Sequence, residues 1–399
     1  MMRARGLLNV LIAIWAVCAV KVPAFAGGSE MPVALLIPDS CDTVAGITVD
    51  SVTPVDTMPP LPGKTWVNRL INSGFRINDP RIRYPKFAQF CVNVYNWGDR
   101  TFNSCDKDYV VGTGKNWKII GKSYNWAQSY MLTFSKSTSI RMISDVYSDI
   151  GAHLCFMAVS VGYDFNANEL IGNPVSNRTN FEFNFTCALF AANYQNSSTK
   201  GGAHVTKFGK FKPSSGQKLD FEFDGVNQES TVIDLYYFFN HRKYSQAAAY
   251  CYSKYQLKSA GSMIAGFSYT HQKIGLDFSR LPADMLNYLP GDTDHYNFRY
   301  TDYDLMVGYA YNCVMKPRKW LFNITALPSL GYKHSYEDST EGRKDMFSTN
   351  IKVMTAFVFN HRSLFASMSV RFDGRAYYGS GYTFFNSNES VTFNVGARF

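Results

Sequence analysis

Val391-Thr392-Phe393-Asn394-Val395-Gly396-Ala397-Arg398-Phe399 is the stretch whose reading decides the fold. Val391, Phe393, Val395, Ala397 and Phe399 take every second position, with Thr392, Asn394, Gly396 and Arg398 between them. Successive side chains of an extended strand point to opposite faces, so this spacing makes a ribbon apolar on one side only. Upstream the same period recurs. Trp320, Phe322, Ile324, Ala326, Leu330 and Tyr332 alternate with Asn323, Thr325, Ser329 and Lys333. Tyr303, Leu305, Val307, Tyr309 and Tyr311 oppose Asp302, Asp304 and Gly308, and Phe181, Phe183, Phe185, Cys187 and Leu189 oppose Glu182, Asn184 and Thr186.

A soluble sandwich also alternates, but its strands usually run about five or six residues. Segments of about ten residues match strands that cross a bilayer at a tilt. Aromatics near the segment ends, such as Trp320 with Tyr332 or Tyr303 with Tyr311, suit girdles at two membrane interfaces. The 399 residues are 16% aromatic and only 18% charged, and mean hydropathy is −0.18. A chain so aromatic yet slightly hydrophilic has its apolar residues diluted by polar neighbours. It lacks the runs of about 20 apolar residues that membrane helices need. At 46% hydrophobic it is not a disordered chain either. The expected fold is all-β, an antiparallel transmembrane β-barrel.

Backbone groups facing lipid must all be paired, so the barrel must close, and bacterial single-chain barrels use an even number of strands. Candidate strands are 128–136, 139–147, 151–165, 180–192, 203–211, 230–240, 262–278, 299–311, 319–333, 347–360, 363–373 and 390–399. That makes about twelve, the parity holding if 243–261, with its Ala247-Ala248-Ala249 run, is an insert on the periplasmic side. Tight turns such as Asn360-His361-Arg362 and Met315-Lys316-Pro317-Arg318 fall at one end, and long polar loops 279–299, 334–347 and 374–389 at the other.

Ahead of the barrel, Arg3 and Arg5, the apolar stretch Leu7 to Val20 and Ala24-Phe25-Ala26 read as a cleaved signal peptide, residues 1–26. Residues 27–63 read as a flexible Pro-rich linker. Residues 64–126 read as an N-terminal periplasmic segment, and 127–399 as the barrel. Within 64–126, Thr65 caps a short helix that Gly74 ends. Phe90 to Tyr95 reads as a strand piece, and Asn96-Trp97-Gly98-Asp99 as turn-rich. Gly112-Thr113-Gly114-Lys115-Asn116 is a strand turn, because Tyr109 and Asn116 stand where a phosphate loop needs Gly and Ser/Thr.

Removing Arg3, Arg5 and Lys21 takes the net charge from +9 to +6, without a basic cluster that would suit nucleic acid. The remaining cysteines are Cys41, Cys91, Cys105, Cys155, Cys187, Cys251 and Cys313, with no CxxC pair to suggest zinc or redox chemistry. Cys91 and Cys105 could pair or stay free. No cofactor and no metal are expected.

Two constellations carry possible chemistry. Asn360-His361-Arg362-Ser363 resembles the Asn-His-x-Ser stretch of outer-membrane phospholipases, which implies His361 as base, Ser363 as nucleophile and Asn360 as orienting group. The strand register places these residues on a periplasmic turn, whereas that family works at the outer leaflet. The related stretch Asn240-His241-Arg242-Lys243 has Lys in place of Ser. The second constellation faces inward: Glu182, Asp234, Asp302 and Asp304 with Lys352, Arg371 and Arg398. Asp302 with Asp304 could hold Ca²⁺ or a cationic solute. Pairing of opposite charges across a narrow lumen accounts for the set more simply.

Asp108-Tyr109-Val110-Val111-Gly112-Thr113-Gly114-Lys115-Asn116-Trp117-Lys118 resembles the opening motif of a Bacteroidetes-type barrel family known as domain of unknown function 4421. So do Phe238-Phe239-Asn240-His241-Arg242-Lys243-Tyr244-Ser245, Gln256 and Lys258-Ser259-Ala260-Gly261-Ser262. The resemblance implies an outer-membrane location over residues 70–399 and brings no catalytic residues. The last strand is separately similar to the assembly signal of outer-membrane proteins, carried by Phe393, Val395 and Phe399.

The expected function is therefore a non-enzymatic narrow pore, ligand-binding barrel or surface-interaction barrel of the bacterial outer membrane, its N-terminal segment in the periplasm. Expected partners are outer-membrane lipid, the barrel-assembly machinery and a small solute or surface ligand. The alternatives are a lipid hydrolase using His361 and Ser363, and a soluble periplasmic binding protein.

Overall fold

Alternation carries through into strands longer than the periodic segments. The computed structural model describes residues 59–399, apart from 75, 116, 135–137, 157–158, 171–177, 214–215, 217, 290–292, 341 and 343. The signal peptide and residues 27–58 of the linker lie outside the described residues. In chain order the strands are β1 (Val110–Gly112), β2 (Trp117–Thr133), β3 (Ser139–Ser144), β4 (Tyr147–Phe156), β5 (Val159–Asn166), β6 (Arg178–Thr186), β7 (Phe190–Lys200), β8 (Ala203–Phe208) and β9 (Phe221–Phe223). They continue as β10 (Val226–Phe238), β11 (Lys254–Gln256), β12 (Ala260–Asp277), β13 (His295–Lys316), β14 (Trp320–Ser335), β15 (Lys344–His361), β16 (Leu364–Tyr378) and β17 (Thr383–Arg398).

Among the described residues, one antiparallel ladder runs β5-β4-β2-β17-β16-β15-β14-β13-β12-β10-β7-β6, twelve staves in all. Its outermost staves, β5 and β6, are consecutive in the chain. Arg178, the first residue of β6, donates to the Ser148 carbonyl at 2.9 Å, to Asp149 Oδ1 at 2.6 Å and to Asn166 Oδ1 at 2.7 Å. The sheet thus curls until its two edges meet.

The surface is inside out for a soluble protein. Leu305, Val307, Phe181, Phe183 and Val395 are exposed, while Asp234, Asp302, Asn312, Asn323, Thr325 and Lys333 are fully buried. An apolar exterior around a polar interior is the distribution of a barrel that lipid surrounds.

Twelve staves agree with the expected number, but not all are the expected segments. The stretch 151–165 is divided between β4 and β5, and 180–192 between β6 and β7. At the second break the Cys187 amide donates to the Phe190 carbonyl at 2.9 Å, closing a tight turn that its apolar residues disguise. Segments 139–147 and 203–211 supply β3 and β8, which leave the ring: β3 pairs with the last five residues of β2, β8 with β3, and β9 with β8. The barrel also starts earlier than residue 127, at Trp117, whose amide and carbonyl both bond Phe399. The expected long loops shrink, because their polar residues continue the ladder. Residues 374–378 and 383–389 are paired strand, leaving only a short turn between them.

The N-terminal segment also differs in part. The helix Trp66–Asn72 forms, with Thr65 Oγ1 accepting from the Asn68 amide at 3.3 Å. Phe90 to Tyr95 is not a strand, nor 96–99 a turn, since both lie inside a helix spanning Lys86–Phe102. Apolar residues at 87, 90, 91, 94 and 97 recur at three and four, a helical period that a six-residue window hides. Cys91 is exposed on this helix and Cys105 is buried beyond it, its thiol donating to the Val110 carbonyl at 3.6 Å, and the two are not joined to each other. The turn after β1 is present, Gly114 taking a φ of +71°.

The β13–β14 pairing skips Val307 and Gly308, opposite Leu327 and Pro328. Proline has no amide hydrogen to give to a ladder. The strands approach so closely there that a Cβ on Gly308 would lie 2.0 Å from the Ala326 carbonyl oxygen. Gly308→Val is expected to lower stability by about 1–3 kcal/mol through overpacking. A urea midpoint of the refolded variant that matches wild type would count against this contact.

Candidate functional site

The lumen is where the polar chemistry collects, and it is filled at three levels. At the end bearing the long connections, inward residues from opposite sides of the ring meet in one apolar core. Leu132 of β2, Ile274 of β12, Phe298 of β13 and Phe384 of β17 are all fully buried there. Val205, Phe208 and Phe223 from β8 and β9, and Phe278 after β12, complete it. The Phe298 and Phe384 rings stack at 4.0 Å and 7°. Just below, the Tyr130 hydroxyl of β2 donates to Gln228 Oε1 of β10 at 2.9 Å, joining staves far apart in the ring.

The middle level is ionic. Asp234 on β10 is fully buried, paired with Lys352 of β15, and 3.7 Å from Arg371 of β16. Its carboxylate also accepts from Ser268 Oγ at 2.6 Å and from the Tyr236 hydroxyl at 3.0 Å. Arg371 bonds Asp373 at 2.5 Å and reaches Glu182 of β6 at 3.9 Å. Asp302 pairs with Lys333 at 2.9 Å, and that ammonium sits 3.8 Å from the Tyr300 ring centre. Asn350 donates to Asp304 at 2.7 Å. Of the expected inward charges, Asp234, Lys352, Arg371 and Glu182 meet across the lumen, while Asp302 pairs with Lys333 of the neighbouring stave.

Lys333, Asn350, Asp373 and Arg375 belong to this level and were not singled out in the sequence. Strand phase turns each of them inward but does not reveal its partner. A gap with room for about one water molecule lies among Thr270, Asp304, Asn350, Lys352, Asp373 and Arg375. Among the described residues, no three His, Cys, Asp or Glu side chains gather as metal ligands, so Asp302 and Asp304 do not form part of such a group.

At the end with the tight turns, the insert after β10 folds into the lumen. Ser245 Oγ caps the helix Gln246–Tyr250 by accepting from the Ala248 amide at 3.2 Å, and Ala247, Ala248 and Ala249 are buried. The expectation that this stretch is no stave is met. The Tyr252 hydroxyl bonds Ser367 at 2.7 Å and Asn394 at 2.9 Å, and Tyr250 donates to Asn323 at 2.8 Å. Lys118 donates to the Cys251 carbonyl at 2.7 Å, and Asn312 to the Ser245 carbonyl at 2.9 Å. Staves from several sides of the ring thus grip one small helix. β1 pairs with β11 and ties the insert to the chain leading into the barrel.

Arg398 belongs here and not with the ionic level, which corrects its expected place among paired lumen charges. Its guanidinium donates to the Tyr252 carbonyl at 2.7 Å, to Asn360 Oδ1 at 2.6 Å and to the Tyr255 hydroxyl at 3.3 Å, and lies 4.5 Å from the Phe365 ring centre. A forked cation suits three acceptors that no carboxylate competes for.

Asn360 is buried and held by that guanidinium, whereas His361, the next residue along β15, is exposed. Ser363 is exposed in the turn, and its carbonyl accepts from the Arg398 amide at 2.8 Å. Among the described residues no hydrogen bond joins His361 to Ser363 or to Asn360. In the related turn, burial pushes the His241 imidazole below its usual value. Phe393, Val395 and Phe399 are exposed on the outer face.

A curled antiparallel sheet whose edges meet at Arg178, an apolar exterior and a packed polar interior define a transmembrane β-barrel of the outer-membrane class. Within that class, residues 104–399 match the model of the domain of unknown function DUF4421, and the chain belongs to that family. No curated relative matches the sequence. Among solved structures, the outer membrane protease OmpT from Escherichia coli is 8% identical, with 71% of this chain and 97% of that one covered at a TM-score of 0.30. The translocator domain of the autotransporter NalP from Neisseria meningitidis is 9% identical, covering 78% and 96%, at 0.27. The toluene transporter TodX of P. putida is 7% identical, covering 71% and 90%, at 0.25.

Proposed function

We propose that this protein is a non-enzymatic outer-membrane barrel, closed to bulk diffusion, that acts through the surface beyond its long-loop end. The observation that carries this reading is the insert of residues 243–258, seated in the lumen beneath ion pairs that cross from β10 to β15 and β16. A pore for solutes needs a continuous wet path, and here three levels of side chains interrupt it. In this reading the tight-turn end and the N-terminal segment face the periplasm, as short turns do in such barrels. Outer-membrane lipid covers the belt that includes Leu305 and Val307. The assembly machinery reads Phe393, Val395 and Phe399, and the loops meet a ligand outside. The Arg398 grip on Asn360 supports a structural role for the Asn-His-x-Ser stretch.

Planar-bilayer recording of the refolded protein is expected to show no steady single-channel current. Sustained conductance would overturn the closed-barrel reading, and lipid hydrolysis that Ser363→Ala abolishes would overturn the non-enzymatic one.

A further inference from the structure

Helix Lys86–Phe102 carries an apolar stripe that the protein does not cover. At about 100° per residue, Phe87, Phe90, Cys91, Val94 and Trp97 fall on one face, with Gln89, Asn96 and Asp99 opposite. Phe87 is 80% exposed, Phe90 64% and Trp97 60%, and the helix buries no residue. Exposed aromatics in such a row mark a surface that something else covers.

The stripe does not end at the helix. The Trp97 ring lies 5.5 Å from Phe102, Phe102 lies 5.4 Å from Phe190 of β7, and Phe190 lies 5.6 Å from Phe185 of β6. Phe185 is in phase with Phe183 and Phe181, both exposed on the outer face of the same stave. An unbroken aromatic path therefore joins the helix to the barrel's lipid-facing belt at the tight-turn end. The junction is pinned by the backbone, because the Leu189 amide donates to the Phe102 carbonyl at 3.0 Å and the Ala188 amide to Asn103 Oδ1 at 2.9 Å. Lys86 and Arg100 border the stripe on its Trp97 edge with positive charge.

We propose that this helix is an interfacial membrane helix, lying in the plane of the leaflet at the tight-turn end with its aromatic stripe in the lipid. Amphipathic helices with Trp and Phe on one face and basic residues beside it settle about 5–10 Å into the headgroup boundary. The belt beside it already meets hydrocarbon, so continuity selects lipid over a protein partner. This inference rests on the reading of the barrel as membrane-embedded.

Cys91 lies in the stripe and supplies the probe. The full mature chain, with the six other cysteines changed to Ala, is labelled at Cys91 with an environment-sensitive fluorophore and refolded into phosphatidylcholine vesicles. Lipids brominated near the headgroup should quench it strongly, and lipids brominated near the chain end weakly. A parallel chain, labelled instead through Leu305→Cys with Cys91 also changed to Ala, should be quenched by the deeper bromines. Quenching at 305 without quenching at 91 overturns the helix inference alone, including the case where a second copy of the chain shields the label. Absence of quenching at both overturns the embedded barrel itself. Should the cysteine-depleted chain not fold, Trp97→Phe in the native chain is the substitute. It should remove part of the tryptophan emission that shallow bromines quench, and an unchanged quenchable fraction overturns the inference.

Discussion

Lys352→Met is expected to cost about 3–5 kcal/mol of stability, the usual penalty for leaving one member of a buried ion pair alone. Asp234 is fully buried, and without the ammonium its nearest cation would be Arg371 at 3.7 Å, which already bonds Asp373. The urea midpoint of the refolded protein should fall relative to wild type. Asp234→Asn combined with Lys352→Met should recover much of the loss, because no uncompensated charge then remains. If the double variant is as unstable as the single one, the pair is not what holds the middle of the lumen together.

Arg398→Ala should release the insert. It removes donors to Tyr252, Asn360 and Tyr255 together with the stack on Phe365, in a side chain only 2% exposed. Each hydrogen bond from a charged group is worth about 1.5–3 kcal/mol, and the three share one side chain, so their losses will not simply add. Lys243, Lys254 and Lys258 in and beside the insert should become trypsin sites in the folded barrel, and bursts of conductance should appear. Arg398→Lys should restore little, because an ammonium cannot fork to acceptors in three directions. A variant as resistant to trypsin and as silent as wild type would show that the insert is held without Arg398.

Much of this architecture is legible in the chain because a stave obeys a local rule. Val395 and Arg398 reveal their opposite faces by position alone, and the polar phase of β13 already names Asp302 and Asp304. What fails is whatever depends on distant partners. A tight turn at Cys187 to Phe190 is built from apolar residues, so nothing breaks the period there. β3 and β8 alternate as staves do, yet they pair beside the ring. The ionic level depends on which staves face each other across the lumen, which periodicity does not encode. Arg398 looks like one more inward charge until the Tyr252 carbonyl is seen beside it. The helix at 86–102 hides because its aromatics imitate a strand over six residues and reveal their true period only over a dozen.

The pairing of β17 with β2 aligns Thr383–Arg398 with Lys118–Thr133, and two hydrogen bonds then tie Trp117 to Phe399. A ribosome delivers the earlier of these staves long before the later one. Until its mate is made, one flank of β2 stays raw, with a row of unmet amides and carbonyls. Loss of Thr383–Arg398 would not merely shorten the wall. It would leave a slit running its full height, bounded by β16 and β2, so β17 is the stave that seals the vessel.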